Sequence, residues 1–148
     1  MTKWDHLPDK VKNKVKRSSS DINRSSKNKC PTEFQEQKKL AEYLDYQGYC
    51  WCHVPNGGNR DAKTGYKMKM QGVKPGVPDV LIFDKPEKSP EHISGVVIEL
   101  KRKKGGQVKE SQDKWLQILD NRGWLTNVCH GADEAIDWLE KIFEGEEE

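Results

Sequence analysis

Apolar residues first fall into a helical rhythm at Leu40, Ala41 and Leu44, and the same line run toward the N-terminus reaches Gln37 and Glu33. Two polar residues therefore share the predicted core-facing side of a helix from Thr32 to about Gln47. Thr32-x-x-Gln35 has capping-box spacing, Pro31 closes off the chain before it, and Gly48 ends the helix. Tyr49 to Val54 carries aromatic and small apolar residues suited to a strand. Residues 55 to 77 form a long connection rich in glycine and cations, with room for a short basic helix. Asp79 to Phe83 and Gly95 to Lys101 are compact apolar strands separated by a polar turn from Pro86 to Pro90, which predicts a hairpin. Ser111 can cap a further helix to about Arg122, whose inner face carries Gln112, Trp115, Leu116 and Leu119. Trp124 to Cys129 reads as a strand and Asp133 to Phe143 as a closing amphipathic helix.

The order helix, strand, strand, strand, helix, strand, helix specifies an α/β layer arrangement around one small mixed sheet, expected to be half covered. At 148 residues the chain fits one domain, yet only 33% of it is hydrophobic and its mean hydropathy is -0.99, so part of it must lie outside the core. Charge shows which part. Residues 1 to 30 hold nine Lys or Arg against three Asp, a surplus of +6, whereas the remaining 17 basic and 21 acidic residues sum to -4. The expected division is a basic arm over 1–30, a folded domain over 31–143 and an acidic tail over 144–148. Such an arm suits phosphate binding or simple solubilisation. No apolar run approaches the roughly 20 residues of a membrane span, and the first residues lack a secretory pattern, so a soluble, cytoplasmic protein is expected. Cys30, Cys50, Cys52 and Cys129 fit no zinc spacing and are read as reduced thiols, with Cys50 and Cys52 assigned to packing beside Trp51.

The chemistry concentrates on the third strand. Alternation places Glu99 and Lys101 on one face while Ile98 and Leu100 point the other way. Asp79 begins the neighbouring strand, and with strands about 5 Å apart its carboxylate converges on that of Glu99. Like charges at that separation call for a cation between them, and a hard divalent ion with oxygen ligands, Mg²⁺ or Mn²⁺, supplies it. The acid-x-Lys tripeptide also occurs at Glu36-x-Lys38 and Asp61-x-Lys63, but only the copy at Glu99 sits on an apolar strand that follows another acid-bearing one. A surface salt bridge on an edge strand is the competing explanation for the spacing.

Pro78-Asp79 followed by Glu99-x-Lys101 in this element order resembles the PD-(D/E)XK nucleases, whose restriction-endonuclease-like core has the order α-β-β-β-α-β with helices flanking a mixed sheet. More narrowly, Glu33-x-x-x-Gln37 leading to Tyr43-Leu44, Gly76-Val77-Pro78-Asp79, Glu99-x-Lys101-Arg102, and Ser111-Gln112 before Trp115-Leu116 are similar to the virus-type replication-repair nuclease (VRR-NUC) domains of stand-alone phage or bacterial proteins. The resemblance spans about Thr32 to Phe143, and departs from the family pattern at Glu36, where an aliphatic residue is more common, so the first helix offers two candidate acids.

The resemblance implies metal-dependent phosphodiester hydrolysis, with Asp79, Glu99 and the backbone carbonyl of Leu100 holding Mg²⁺ or Mn²⁺. Lys101 would position a water or neutralise charge on the scissile phosphate, Glu33 would reach in as a further ligand or water-orienting group, and Gln112 would hydrogen-bond to Lys101 or the nucleophile side. For Glu33 an ordinary first-turn acid, and for Gln112 an amide near a helix cap, are the plainer alternatives. Arg60, Lys63, Lys67, Lys69 and Lys74 in the connection, with Arg102, Lys103 and Lys104 beside the site, make a track for DNA phosphates without a base-reading signature. The specific expectation is a homodimeric endonuclease of DNA repair or recombination that resolves Holliday junctions, because two sites related by a twofold axis suit two symmetric cuts. Its alternatives are a non-catalytic basic DNA-binding module and a sequence-specific restriction-type nuclease.

Overall fold

The computed structural model of the chain describes residues 30–56 and 58–145. Apart from Cys30 and the residues up to Gly145, the expected basic arm and acidic tail lie outside the described residues. The elements are α1 (Glu33–Gln47), β1 (Trp51–His53), α2 (Ala62–Met70), β2 (Val80–Ile82), β3 (Gly95–Lys101), α3 (Glu110–Asn121), β4 (Trp124–His130) and α4 (Ala132–Glu144). The strands lie in the order β1-β2-β3-β4, antiparallel across the first two junctions and parallel across the last. This is the expected mixed sheet, and β2 and β3 form the expected hairpin pair.

The sheet is covered on both faces, not half covered. Every residue from Gly95 to Leu100 is buried, and a strand sealed along its whole length needs a layer on either side. On one side α3 lies over the face of Glu99 and Lys101, to both of which Gln112 is bonded. The other side holds α1 and α4, which pack on each other and on β3. The flanking strands are shorter than their apolar runs: β1 keeps three residues of Tyr49 to Val54, and β2 three of Asp79 to Phe83. Cys50 and Cys52 are exposed, so they do not serve as packing residues; Cys129 is the buried thiol.

Helix α1 starts as its capping box dictates, with Thr32 Oγ1 accepting from Gln35 N and Gln35 Oε1 accepting from Thr32 N. Its inward line is rotated from the one expected. Glu36, Leu40, Tyr43 and Leu44 are buried, whereas Ala41 and Gln37 are half-buried and Glu33 is exposed. The rotation follows from what Glu36 meets: its Oε2 accepts from the backbone amide of Ala132 at 2.6 Å, at the first turn of α4. A buried carboxylate on free helix amides, where the dipole is positive, is held by charge-assisted bonding. The start of α3 differs as well. Lys109, not Ser111, is its N-cap residue, because the Gln112 side chain folds back to accept from Lys109 N at 2.8 Å.

Gly76 shows how closely the long connection returns to the core. It has φ +84°, and a Cβ there would stand 2.6 Å from the Ser111 carbonyl carbon and oxygen.

Replacing Glu36 by Ala is expected to lower unfolding free energy by about 2 kcal/mol, the usual scale for a hydrogen bond to a charged group. Urea denaturation measures this.

Candidate active site

The register across β2 and β3 positions the two acids of the site. Val80 pairs with Ile98 and Leu81 with Val97, so Asp79, one step before β2, stands opposite Glu99. The Asp79 backbone is pinned from the β1 side, where its carbonyl accepts from Val54 N at 2.8 Å and meets His53 Nδ1 at 2.8 Å. Its side chain is turned toward β3, with Oδ2 accepting from Leu100 N at 2.8 Å. The N–H and C=O of one residue leave a strand on the same edge, so the Leu100 carbonyl also faces Asp79.

Glu99 is only 1% exposed, and its two oxygens have different surroundings. Oε1 accepts from Gln112 Nε2 at 2.6 Å and pairs with Lys101 Nζ at 2.8 Å. Lys101 Nζ also donates to Gln112 Oε1 at 2.8 Å, which closes a triangle of side chains. Gln112 Oε1 takes a further bond from Lys109 N, so its amide group has a defined direction and its Nε2 must face Glu99. Glu99 Oε2, on the other hand, is buried without a hydrogen-bond partner. Such an atom is costly unless something cationic completes it.

Burial pushes the Glu99 carboxyl up to about 6, and the charge of Asp79 adds to the rise while Lys101 opposes it. Burial likewise raises Asp79 above the ordinary carboxylate range, against the Leu100 amide and the charges of Lys101 and His53, with Glu33 adding to the rise. Both acids are thus short of positive charge. Two carboxylates and a carbonyl are hard oxygen donors, and an ion of the Mg²⁺ type commonly takes one or two carboxylates while keeping several waters. The donor set fits such an ion.

The candidate site residues gather at one place, whereas the expected phosphate-binding cations do not. Asp79, Glu99, Leu100, Lys101 and Gln112 line one cavity of about 480 Å³, and Glu33 reaches its rim from the exposed start of α1. The charge of Glu33 bears on the Asp79 carboxyl, while among the described residues no three His, Cys, Asp or Glu side chains stand close enough to form a metal-holding group. Glu36, the other candidate acid of α1, is not among the residues lining the cavity and accepts from the α4 amide. Of the expected phosphate track, Arg102 lines the cavity and Lys63, Lys67, Lys69, Lys74 and Lys104 are exposed. Lys103 is instead drawn aside by Asp133 at 3.4 Å and Glu36 at 4.0 Å, and Arg60 Nη2 donates to the Pro55 carbonyl. Spacing missed His53 on the Asp79 carbonyl, and Asn56, Gln107 and Lys109 in the cavity lining. Only the β1–β2 pairing and the fold-back of Gln112 reveal them.

The sequence pattern of the VRR-NUC domain matches residues 31–133. The chain belongs to the VRR-NUC family. It is also similar to a solved structure described as a "VRR_NUC domain protein", at 22% identity and a TM-score of 0.65, over 79% of this chain and 92% of that one. This likeness bears on the fold, and it agrees with the expected mixed α/β sheet flanked by helices. A comparison with curated proteins returns no match. A VRR-NUC domain is a nuclease-type domain, and in this chain its acid-x-Lys strand carries the buried carboxylate with the unpartnered oxygen.

A raised carboxyl pKa makes the folded state the stronger proton binder, so stability should fall as pH rises from about 4.5 toward 6, by about 2 kcal/mol in all. The Glu99→Gln variant should lack this decline when urea midpoints are compared across pH without divalent ions. Adding Mg²⁺ or Mn²⁺ above pH 7 should raise the thermal midpoint of the parent and not that of the variant.

Proposed function

We propose that this protein is a Mg²⁺- or Mn²⁺-dependent endonuclease that hydrolyses DNA phosphodiester bonds, with branched DNA and in particular four-way junctions as its substrate and a homodimer as its active form. Residues 31–143 form the nuclease domain in this reading, with 1–30 as a basic DNA-binding arm and 144–148 as an acidic tail. The observation that carries it is the buried, unpartnered Glu99 Oε2 opposite Asp79, in the same cavity as Lys101.

Asp79, Glu99 and the Leu100 carbonyl would hold the ion. When bound, it supplies a water of lowered pKa and an offset for charge that builds on the scissile phosphate. The protein's own groups do the rest. Lys101 has a 13% exposed side chain fixed between Glu99 and Gln112, so its ammonium is presented in one orientation and can hold a phosphate oxygen or the attacking water. Gln112 locks that orientation by accepting from Lys101 and donating to Glu99. Glu33, exposed at the cavity rim, acts from outside through an intervening water. Arg102 at the cavity and Lys104 beyond it draw in the flanking phosphates. The structure of the DNA, not its base sequence, is what these contacts recognise.

The test is cleavage of a labelled four-way junction and of its matched linear duplex, with Mg²⁺, Mn²⁺ or EDTA. The junction should be cut at least about tenfold faster, and Asp79→Ala or Glu99→Ala should abolish cutting, as expected for loss of a charge-stabilising group. Equal rates on both substrates would remove the junction preference. Binding without any cleavage by the parent would make the protein a non-catalytic module, and a monomer in sedimentation would remove the twofold argument.

A further inference from the structure

Helix α2 stands apart from the other helices in that none of its nine residues is buried. Its local signals suffice to form it: Asp61 caps the start, with Oδ1 accepting from Thr64 N at 3.1 Å. Its residues nevertheless sort by face. Gly65 and Met68, three apart, are half-buried and face the molecule. Lys63, Tyr66, Lys67 and Met70 have the spacing i, i+3, i+4, i+7 and form the opposite, outward stripe, where Tyr66 is 65% and Met70 71% exposed. Two large apolar groups thus alternate with two cations on a surface that nothing in the described chain covers.

The helix is also tied to the active site. Asn56, before it, donates from Nδ2 to the Val77 carbonyl at 2.9 Å, and the Pro75 carbonyl, after it, accepts from Trp115 Nε1 at 3.0 Å. Asn56 and Pro75 both line the cavity of Asp79 and Glu99, so α2 rises from the rim of that cavity.

We propose that the outward face of α2 is a wedge for unstacked bases at a DNA branch, Tyr66 and Met70 packing against the bases while Lys63 and Lys67 hold the adjoining phosphates. This rests on the nuclease reading and names the part that selects the substrate. Charge decides the occupant. Ala62–Met70 carries three lysines and no acid, and among the described residues none of the three makes an ion pair, so a twofold contact between copies would set cation against cation. A polyanion removes that repulsion. Within continuous duplex the bases are stacked on each other, whereas at a branch they open, and an aromatic or thioether side chain replaces the lost stacking.

The experiment compares the parent with the Tyr66→Ala, Met70→Ala double variant in EDTA, where no cleavage intervenes, by fluorescence anisotropy on a four-way junction and its matched duplex. Both residues are solvent-exposed, so the thermal midpoint should not move. The expected result is at least about a tenfold loss of junction affinity, the scale of a base stack, with less than about twofold on duplex and an unchanged salt slope. A Lys63→Ala, Lys67→Ala variant should lower the salt slope on both DNAs. 2-Aminopurine at the branch should brighten with the parent and not with the Tyr66→Ala, Met70→Ala variant. Equal losses on junction and duplex, no loss on either, or conversion of a dimer to a monomer by the double variant would each overturn the wedge. A parent that binds junctions through this face and never cleaves with Mg²⁺ would refute the nuclease reading alone. Junction cutting unaffected by the double variant would refute the wedge alone.

Discussion

A carboxylate shut inside the protein, with one oxygen bonded and the other left without a partner, is the constraint from which the rest of this molecule follows. Glu99 occupies the middle of a strand sealed on both faces, and its Oε1 takes both available donors, Gln112 and Lys101. Oε2 takes none. Burying such a group without full compensation is unfavourable, and Asp79 across the strand pair makes it more so by repulsion. Folding therefore stores a local deficit of positive charge at one point of the sheet, and the longer β3 strand, the α3 helix that brings Gln112, and the buried Pro78 before Asp79 all serve to hold that point in shape.

The two acids near the start of α1 divide between scaffold and site. Glu36 faces inward and holds the first amide of α4, with Lys103 and Asp133 beside it, so α1, the end of the β3 strand and α4 share one polar junction. Glu33, three residues earlier and nearly one turn away, is left at the cavity rim by the same rotation. Glu36 thus has a structural role in this chain, as the acceptor of the Ala132 amide.

The cations are likewise sorted by what the fold leaves them to do. Lys101 is fixed by Glu99 and Gln112, Lys39 and Lys103 are held by Asp133, and Lys114 pairs with Glu110 one turn away. Those on α2, with Arg102 and Lys104, make no ion pair among the described residues, and Arg102 borders the cavity. A chain with a net charge of only +2 can in this way still carry local clusters of uncommitted cations.

The element order, the hairpin, the mixed sheet and the facing of Asp79, Glu99 and Lys101 were all legible in the sequence, since each depends on local periodicity, capping chemistry or alternation along a strand. Thr32 and Gln35 set the start of α1, and period two alone put Glu99 beside Lys101. Which face of α1 turns inward was not legible, because Glu36 becomes a core residue only when α4 offers it an amide from 96 residues away in sequence. The same holds for Lys103, expected on the DNA track but captured by Asp133, and for the exposure of Cys50 and Cys52, before and within a short strand at the edge of the sheet. Local sequence determined which elements form and which side chains share an edge. Long-range packing alone decided which polar groups find partners and which, like Glu99 Oε2, are left without one, because a hydrogen bond between distant residues exists only once both ends have been brought together.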